Sequence, residues 1–244
     1  MRVRVDSCHL SFVLLQQNDD TYCKLFHFYK LQATTMGLLT ILKKVKEEER
    51  EIRILVLGLD NAGKTTIVRR LCDKPIDSIE PTLGFSIQTL EYDLKNDDTY
   101  QLHLWDIGGQ STIRAYWRNY FEKTDGIIWV VDSGDRHRLT LVKEELDTVL
   151  EQERLAGASL LVLANKSDLE GALGKDAIAE TLELGVETNS NDDDNATTTT
   201  VQDQPNHSSR HWTIRASSAV TGEGLAESIE WLVRDITDRI YFAA

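Results

Sequence analysis

The sequence predicts an α/β fold: a six-stranded, mostly parallel sheet with one antiparallel hairpin strand and helices on both faces. Three observations carry this. Short Val/Ile/Leu runs alternate with helical patterns along most of the chain, as strand–helix–strand units do. Most of those runs lack strict alternation, the mark of strands buried on both faces. A glycine-rich stretch, Gly58-Leu59-Asp60-Asn61-Ala62-Gly63-Lys64-Thr65, follows one such run and opens a helical pattern, where a phosphate-binding loop belongs.

In chain order, strands are predicted at Ile52–Leu57, Phe85–Tyr92, Tyr100–Trp105, Ile127–Val131, Leu160–Ala164 and Trp212–Ala216. Helices are predicted at Lys64–Cys72, Thr112–Glu122, Arg138–Glu153, Asp176–Leu184 and Leu225–Tyr241. Lys95-Asn96-Asp97-Asp98 supplies a turn between the second and third strands, which makes those two an antiparallel hairpin.

Composition bounds the function. The chain has 244 residues, 41% hydrophobic and 27% charged, enough for one domain with a sizeable core. No run approaches the ~20 apolar residues of a membrane span. Twenty-seven basic against 40 acidic residues leave a net charge of −13, which repels nucleic-acid phosphates and argues against a nucleic-acid partner. Cys8, Cys23 and Cys72 are too few for a disulfide framework, so a reducing, cytoplasmic compartment is expected.

Composition also divides the chain. Residues 1–35 fit no targeting pattern. The chain has two methionines, Met1 and Met36, and 1–35 is read as an N-terminal extension, disordered or added by a mis-assigned upstream start. In 36–50, Leu38, Ile41, Leu42 and Val45 fall on one helical face opposite Lys43, Lys44 and Lys46, an amphipathic helix and linker. That helix either docks in a groove of its own domain or makes a nucleotide-controlled contact with a membrane or partner. Met36-Gly37 begins like a myristoylation site, but Ile41 stands where Ser or Thr is needed, so no stable membrane anchor is expected. The main domain is 51–244. Residues 187–209 interrupt it with five acids and no Lys or Arg, an insertion expected to be disordered and to emerge opposite the nucleotide.

The chemistry lies in three stretches. In the glycine-rich loop, backbone N–H groups wrap a phosphate and the helix N-terminus adds positive charge. Lys64 reaches the outer phosphates, Thr65 offers a hydroxyl to Mg²⁺, and Thr66 follows at the helix start. Asp106-Ile107-Gly108-Gly109-Gln110 follows the third strand: Asp106 can hold a Mg²⁺-bound water, a Gly can turn its N–H to a γ-phosphate, and Gln110 can orient an attacking water. Asn165-Lys166-Ser167-Asp168 follows the fifth strand. The Asp168 carboxylate can accept both guanine N1–H and N2–H₂, whereas adenine lacks that donor pair and would leave the acid unmatched. Lys166 can lie across the base, and Ser218-Ala219 stands where backbone N–H groups can reach guanine O6. A kinase or ATPase is disfavoured by Asp168, and a purely structural nucleotide binder by Gln110.

Together these pieces resemble the small GTPases, hence a P-loop GTPase fold. Pro81-Thr82-Leu83-Gly84-Phe85, Trp105 to Gln110, and Tyr116-Trp117-Arg118-Asn119-Tyr120-Phe121 are similar to the ADP-ribosylation factor family. The resemblance implies GTP/GDP and Mg²⁺ as ligands, with Thr65, Thr82 and Asp106 at the metal and Gln110 and Gly109 as the catalytic pair. It implies that the hairpin is an interswitch that slides on GTP binding. Asp60 replaces the Gly of many GTPases, which fits slow unaided hydrolysis. No arginine is evidently placed in cis, so an activating protein supplies most of the rate. Met36 to Lys44 and Arg154-Leu155-Ala156-Gly157-Ala158 resemble a factor-like branch of the family. That branch implies an exchange factor, a tubulin-folding cofactor and carriers of lipidated cargo as partners, a monomeric state, and microtubule association. A cargo-release role of a sister branch, or a vesicle-traffic role, is the alternative.

Overall fold

The computed structural model describes residues 50–94, 98–184 and 210–242. The extension 1–35, the amphipathic segment, the turn residues 95–97 and the acidic insertion lie outside the described residues.

Six strands form one sheet: β1 Glu51–Leu57, β2 Phe85–Leu94, β3 Asp98–Ile107, β4 Gly126–Asp132, β5 Ser159–Asn165 and β6 Trp212–Ala216. Their order is β2-β3-β1-β4-β5-β6. The pair β2–β3 is antiparallel, from Phe85↔Ile107 to Leu94↔Asp98; the other four pairings are parallel. The predicted sheet and hairpin are present. β2 and β3 each run longer than expected. Polar residues at both hairpin ends kept the apolar runs short, while cross-strand pairing carries the ladder onward.

Side-chain alternation along the strands builds two cores. Leu55, Leu57, Ile127, Trp129, Val131, Leu160 and Val162 face one side. There they meet α3 Leu139–Leu150 through Val142, Leu146 and Val149, and α4 Lys175–Thr181 through Ile178. Ile52, Ile54, Val56, Ile128, Val130 and Leu161 face the other side. They meet α1 Lys64–Leu71 through Ile67 and Val68, and α5 Leu225–Phe242 through Ile229, Leu232 and Val233. β5 is buried at every residue, which is why its sequence runs apolar without alternation. β2 is an edge strand and alternates exposed with half-buried.

One predicted helix is corrected. Thr112–Glu122 is not continuous: α2 Ser111–Arg114 ends after four residues, and a 3₁₀ turn, Trp117–Tyr120, follows. The break delivers the Trp117 indole into the core. It is 2% exposed, edge-on to Trp129 with ring centroids 5.8 Å apart, and its N–H donates to Gly108 O at 2.9 Å. Burying a ring with its polar group satisfied outweighs a few helical hydrogen bonds of about 1 kcal/mol net each. The helix predicted at Arg138–Glu153 likewise has 3₁₀ turns at its ends, Arg136–Arg138 and Glu153–Leu155.

The site follows from topology. β1, β3, β4, β5 and β6 are parallel, so their carboxyl ends share one edge, where the three chemical stretches begin.

Candidate nucleotide site

The chain leaves β1 at Gly58, whose φ is +137°, a value closed to ordinary side chains. A Cβ there would lie 2.3 Å from Val130 O. At Gly63, with φ +97°, a Cβ would strike the Asn165 amide at 2.2 Å. Leu59 and Ala62 are buried between them, so the loop presents backbone rather than side chains. Gly63 caps α1, aiming that helix's N-terminus at the loop.

Lys64 opens α1 and is 6% exposed. Its Nζ donates to Leu59 O at 2.7 Å. Burial pushes its pKa down to about 8, against the opposing pull of Asp106 and Asp60. An ammonium held out of water is poised for an anionic ligand.

A cavity of about 310 Å³ opens here. Asp60, Asn61, Gly63, Lys64, Thr65 and Thr66 form one wall. Gly108, Gly109 and Gln110 form another, and Ile79 to Thr82 a third. The three proposed metal residues converge: Thr65 Oγ1 donates to Asp106 Oδ2 at 2.8 Å, and Thr82 Oγ1 lies 2.9 Å from Thr65 Oγ1 and 3.2 Å from Asp106 Oδ2. Asp106 is fully buried, and its Oδ1 has no hydrogen-bond partner among the described residues. Burial raises its pKa, with the Thr65 hydroxyl and Lys64 acting against that rise. An orphaned carboxylate oxygen beside two hydroxyls fits a hard divalent cation that keeps some of its waters.

Ile107 ends β3 in the core, and Gly108 and Gly109 follow, both buried. Gly108 N–H donates to Gly84 O at 2.9 Å, tying this loop to the segment that carries Thr82. A Cβ on Gly109 would lie within 2.5 Å of Gly58 O, so the two loops touch backbone to backbone.

The residues expected to read the base form a second cluster. The Asn165 side chain joins the two clusters: Nδ2 donates to Ala62 O at 2.7 Å, and Oδ1 accepts from Ala219 N at 3.0 Å. Lys166 has φ +63° and donates to Asp132 at 2.7 Å. Ser167 binds Ser217 O through both its hydroxyl and its backbone N–H. Asp168 is exposed. Ser218 N–H donates to Glu223 O, and its hydroxyl accepts from Thr221 N. Both amides expected at guanine O6 therefore have partners within the chain and brace the loop. Arg70 of α1 donates to Ala219 O and Val220 O, binding that loop to the phosphate-facing helix.

Two arginines pair with the glycine-rich loop, and neither lines the cavity. Arg138 and Arg114 both reach the loop residue Asp60, at 3.2 and 3.5 Å. Arg114 also donates to Gly109 O at 2.8 Å. These contacts span 54 and 78 positions of sequence, so no local pattern announces them. Ile79 and Glu80 in the cavity wall, and the place of Trp117 beneath Gly108, carried no sequence signal of their own.

The comparisons with known proteins agree with this geometry. The chain is 52% identical over 206 residues to ADP-ribosylation factor-like protein 2 of Drosophila melanogaster, covering 84% of this chain and 98% of the relative. It is 51% identical to the protein of that name from Arabidopsis thaliana over the same shares. It is 46% identical to ADP-ribosylation factor-like protein 3 of Chlamydomonas reinhardtii, over 82% and 99% of the two chains. Among solved structures, the Arl6 BBS3 small GTPase of Trypanosoma brucei, bound to the nucleotide analogue GppNp, matches with TM-score 0.62 and 29% identity, covering 77% of this chain and 98% of that one. The profile of the ADP-ribosylation factor family spans residues 38–236, which include every residue placed above. With the glycine loop, the hydroxyl–carboxylate cluster and the base-reading stretch all inside that span, the chain belongs to the ADP-ribosylation factor family of small GTP-binding proteins.

Proposed function

We propose that the chain is a GTP/GDP switch with slow hydrolysis, and that Thr82 reports which nucleotide is bound. The observation carrying this is the convergence of Thr82, Thr65 and Asp106 on one point, 2.8 to 3.2 Å apart. Thr82 lies in a loop whose neighbour Leu83 is 83% exposed. Gly84 O ties that loop to Gly108 N–H, but on the cavity side Thr82 is held through its hydroxyl, so its place depends on what fills the cavity.

Thr65, Thr82 and Asp106 would hold Mg²⁺, which when bound neutralises charge building between the outer phosphates. Lys64 binds the same phosphates as a buried cation. Gly109 offers its N–H, and Gln110 orients the attacking water. Asp168 reads the guanine edge, and Asn165 holds the base loop to the phosphate loop. Slow hydrolysis calls for an activating protein, and release of the GDP product for an exchange factor. The similarity to factor-like protein 2 supports a role in tubulin folding and in release of lipidated cargo from carriers.

Thr65→Asn tests the site. It removes a hydroxyl that would hold Mg²⁺, whose neutralising charge counts for more when a γ-phosphate adds its own. GTP affinity should fall at least about tenfold more than GDP affinity, measured by competition with a fluorescent nucleotide. Equal losses for the two nucleotides would contradict the assignment.

A further inference from the structure

Arg114 ends α2, and its side chain is 11% exposed. Its guanidinium makes three contacts: Nε donates to Gly109 O at 2.8 Å, one terminal nitrogen donates to Glu145 of α3 at 2.9 Å, and the other lies 3.5 Å from Asp60. One side chain thus joins the phosphate loop, the loop after β3 and a core-packed helix. Asp60 is held from its other side by Arg138, which itself pairs with Asp135.

The consequence lies in the peptide that Arg114 grips. A peptide unit is planar and trans, so its C=O and N–H point in opposite directions. Holding Gly109 O therefore sets the direction of the Gln110 N–H and the position of the Cα from which the Gln110 side chain leaves. The preceding peptide is held in the same way, because Trp117 takes Gly108 O. Neither unit can tilt toward the phosphate loop, since Gly109 already packs against the backbone of Gly58, Leu59 and Asp60. Gln110 itself is extended, φ −62° and ψ 145°, and borders the cavity.

We propose that Arg114 is a positioning residue for GTP hydrolysis: by fixing the Gly109 carbonyl it aims Gln110 into the cavity, while Asp60 and Glu145 hold the guanidinium in place. This rests on the reading of Gln110 as the residue that orients water. The planar fork suits the task, because it serves a carbonyl and two carboxylates at once. A lysine is a point charge and serves fewer of them.

The test is single-turnover hydrolysis by the full chain loaded with GTP and Mg²⁺, without an activating protein, so that lost docking cannot mimic lost positioning. GTP dissociation and the melting temperature of the GDP-loaded protein are measured alongside. Arg114→Ala should slow hydrolysis about tenfold while GTP dissociation changes less than about threefold. Arg114→Lys should recover part of that loss. In a Gln110→Leu background, Arg114→Ala should add less than about twofold, as expected of residues acting as one unit. Unaltered hydrolysis in Arg114→Ala, or full additivity with Gln110→Leu, overturns the positioning role alone. Gln110→Leu that hydrolyses at the ordinary rate overturns the water-orienting reading, and the positioning role with it. If Arg114→Ala does not fold, Arg114→Lys carries the test: a several-fold loss supports the role, and an unaltered rate overturns it.

Discussion

At the scale of single residues, Lys64 carries a clear pH prediction. Burial, opposed by Asp106 and Asp60, brings its pKa to about 8. Phosphates favour the ammonium, so the bound-state pKa lies higher. Below pH 8 Lys64 is charged in both states and contributes no pH dependence to binding. Above it the free protein must take up a proton, and affinity falls by up to about tenfold per pH unit. Calorimetry in buffers of differing ionisation enthalpy should show proton uptake from this group near pH 9 and little near pH 6.5; equal uptake at both would refute it. Asp168 carries a second prediction. It is exposed and stands next to the Ser167 anchor. Asp168→Asn turns two acceptors into one acceptor and one donor, which mismatches guanine but suits xanthine, where an oxygen replaces the 2-amino group. XTP should then gain on GTP by at least about a hundredfold; a mutant that still prefers GTP strongly would show that another residue reads the base. Residues of this kind are legible in sequence because their chemistry is bound to spacing. Gly58, Lys64 and Thr65 fall within one eight-residue stretch, the loop after β1 and the first turn of α1, and phosphate binding there needs each of them. Asp60 was legible only as a departure from glycine. Its two arginine partners lie 54 and 78 positions away, and long-range ion pairs leave no periodic trace.

At the scale of elements, strands and long helices were readable because each buries a regular stripe. α3 shows the pattern plainly, with Leu139, Val142, Leu146, Val149 and Leu150 buried along one face. The segment 111–121 was not readable in this way. Only Trp117 is buried within its 3₁₀ turn, and what decides its shape is a hydrogen bond to a carbonyl in another element. Trp117→Phe keeps most of the ring packing against Trp129 but leaves the buried Gly108 O without its donor. It should cost about 1–3 kcal/mol of stability, the penalty for an unsatisfied buried polar group, read from urea unfolding of the GDP-loaded protein. A loss below about 0.5 kcal/mol would mean that the turn is set by packing alone.

At the scale of the molecule, the parallel strands separate the two edges of the sheet. The residues proposed to hold the nucleotide gather at the carboxyl edge. The described flanks of the acidic insertion stand at the amino edge. Leu184, 7% exposed, packs into the core just beyond α4, and Arg210 donates to Leu150 O, Leu155 O and Ala158 O at the entrance to β5. Arg239 and His211 meet Asp235 at the same edge. The described residues on either side of the insertion are thus held by contacts within the described domain. A seven-residue strand such as β1 spans roughly 23 Å, well beyond a Debye length of ~8 Å. The five acids of 187–209 should then be felt weakly at the phosphates, and closing a longer surface loop adds only a slowly growing entropy cost. Replacing residues 188–208 with a short Gly-Ser linker should leave GTP affinity and unstimulated hydrolysis within about twofold, a shift under ~0.5 kcal/mol. Equilibrium nucleotide titration and single-turnover rates on the two proteins measure this. A tenfold loss of GTP affinity in a deletion that keeps its melting temperature would place the insertion at the nucleotide edge and contradict the separation of the two edges.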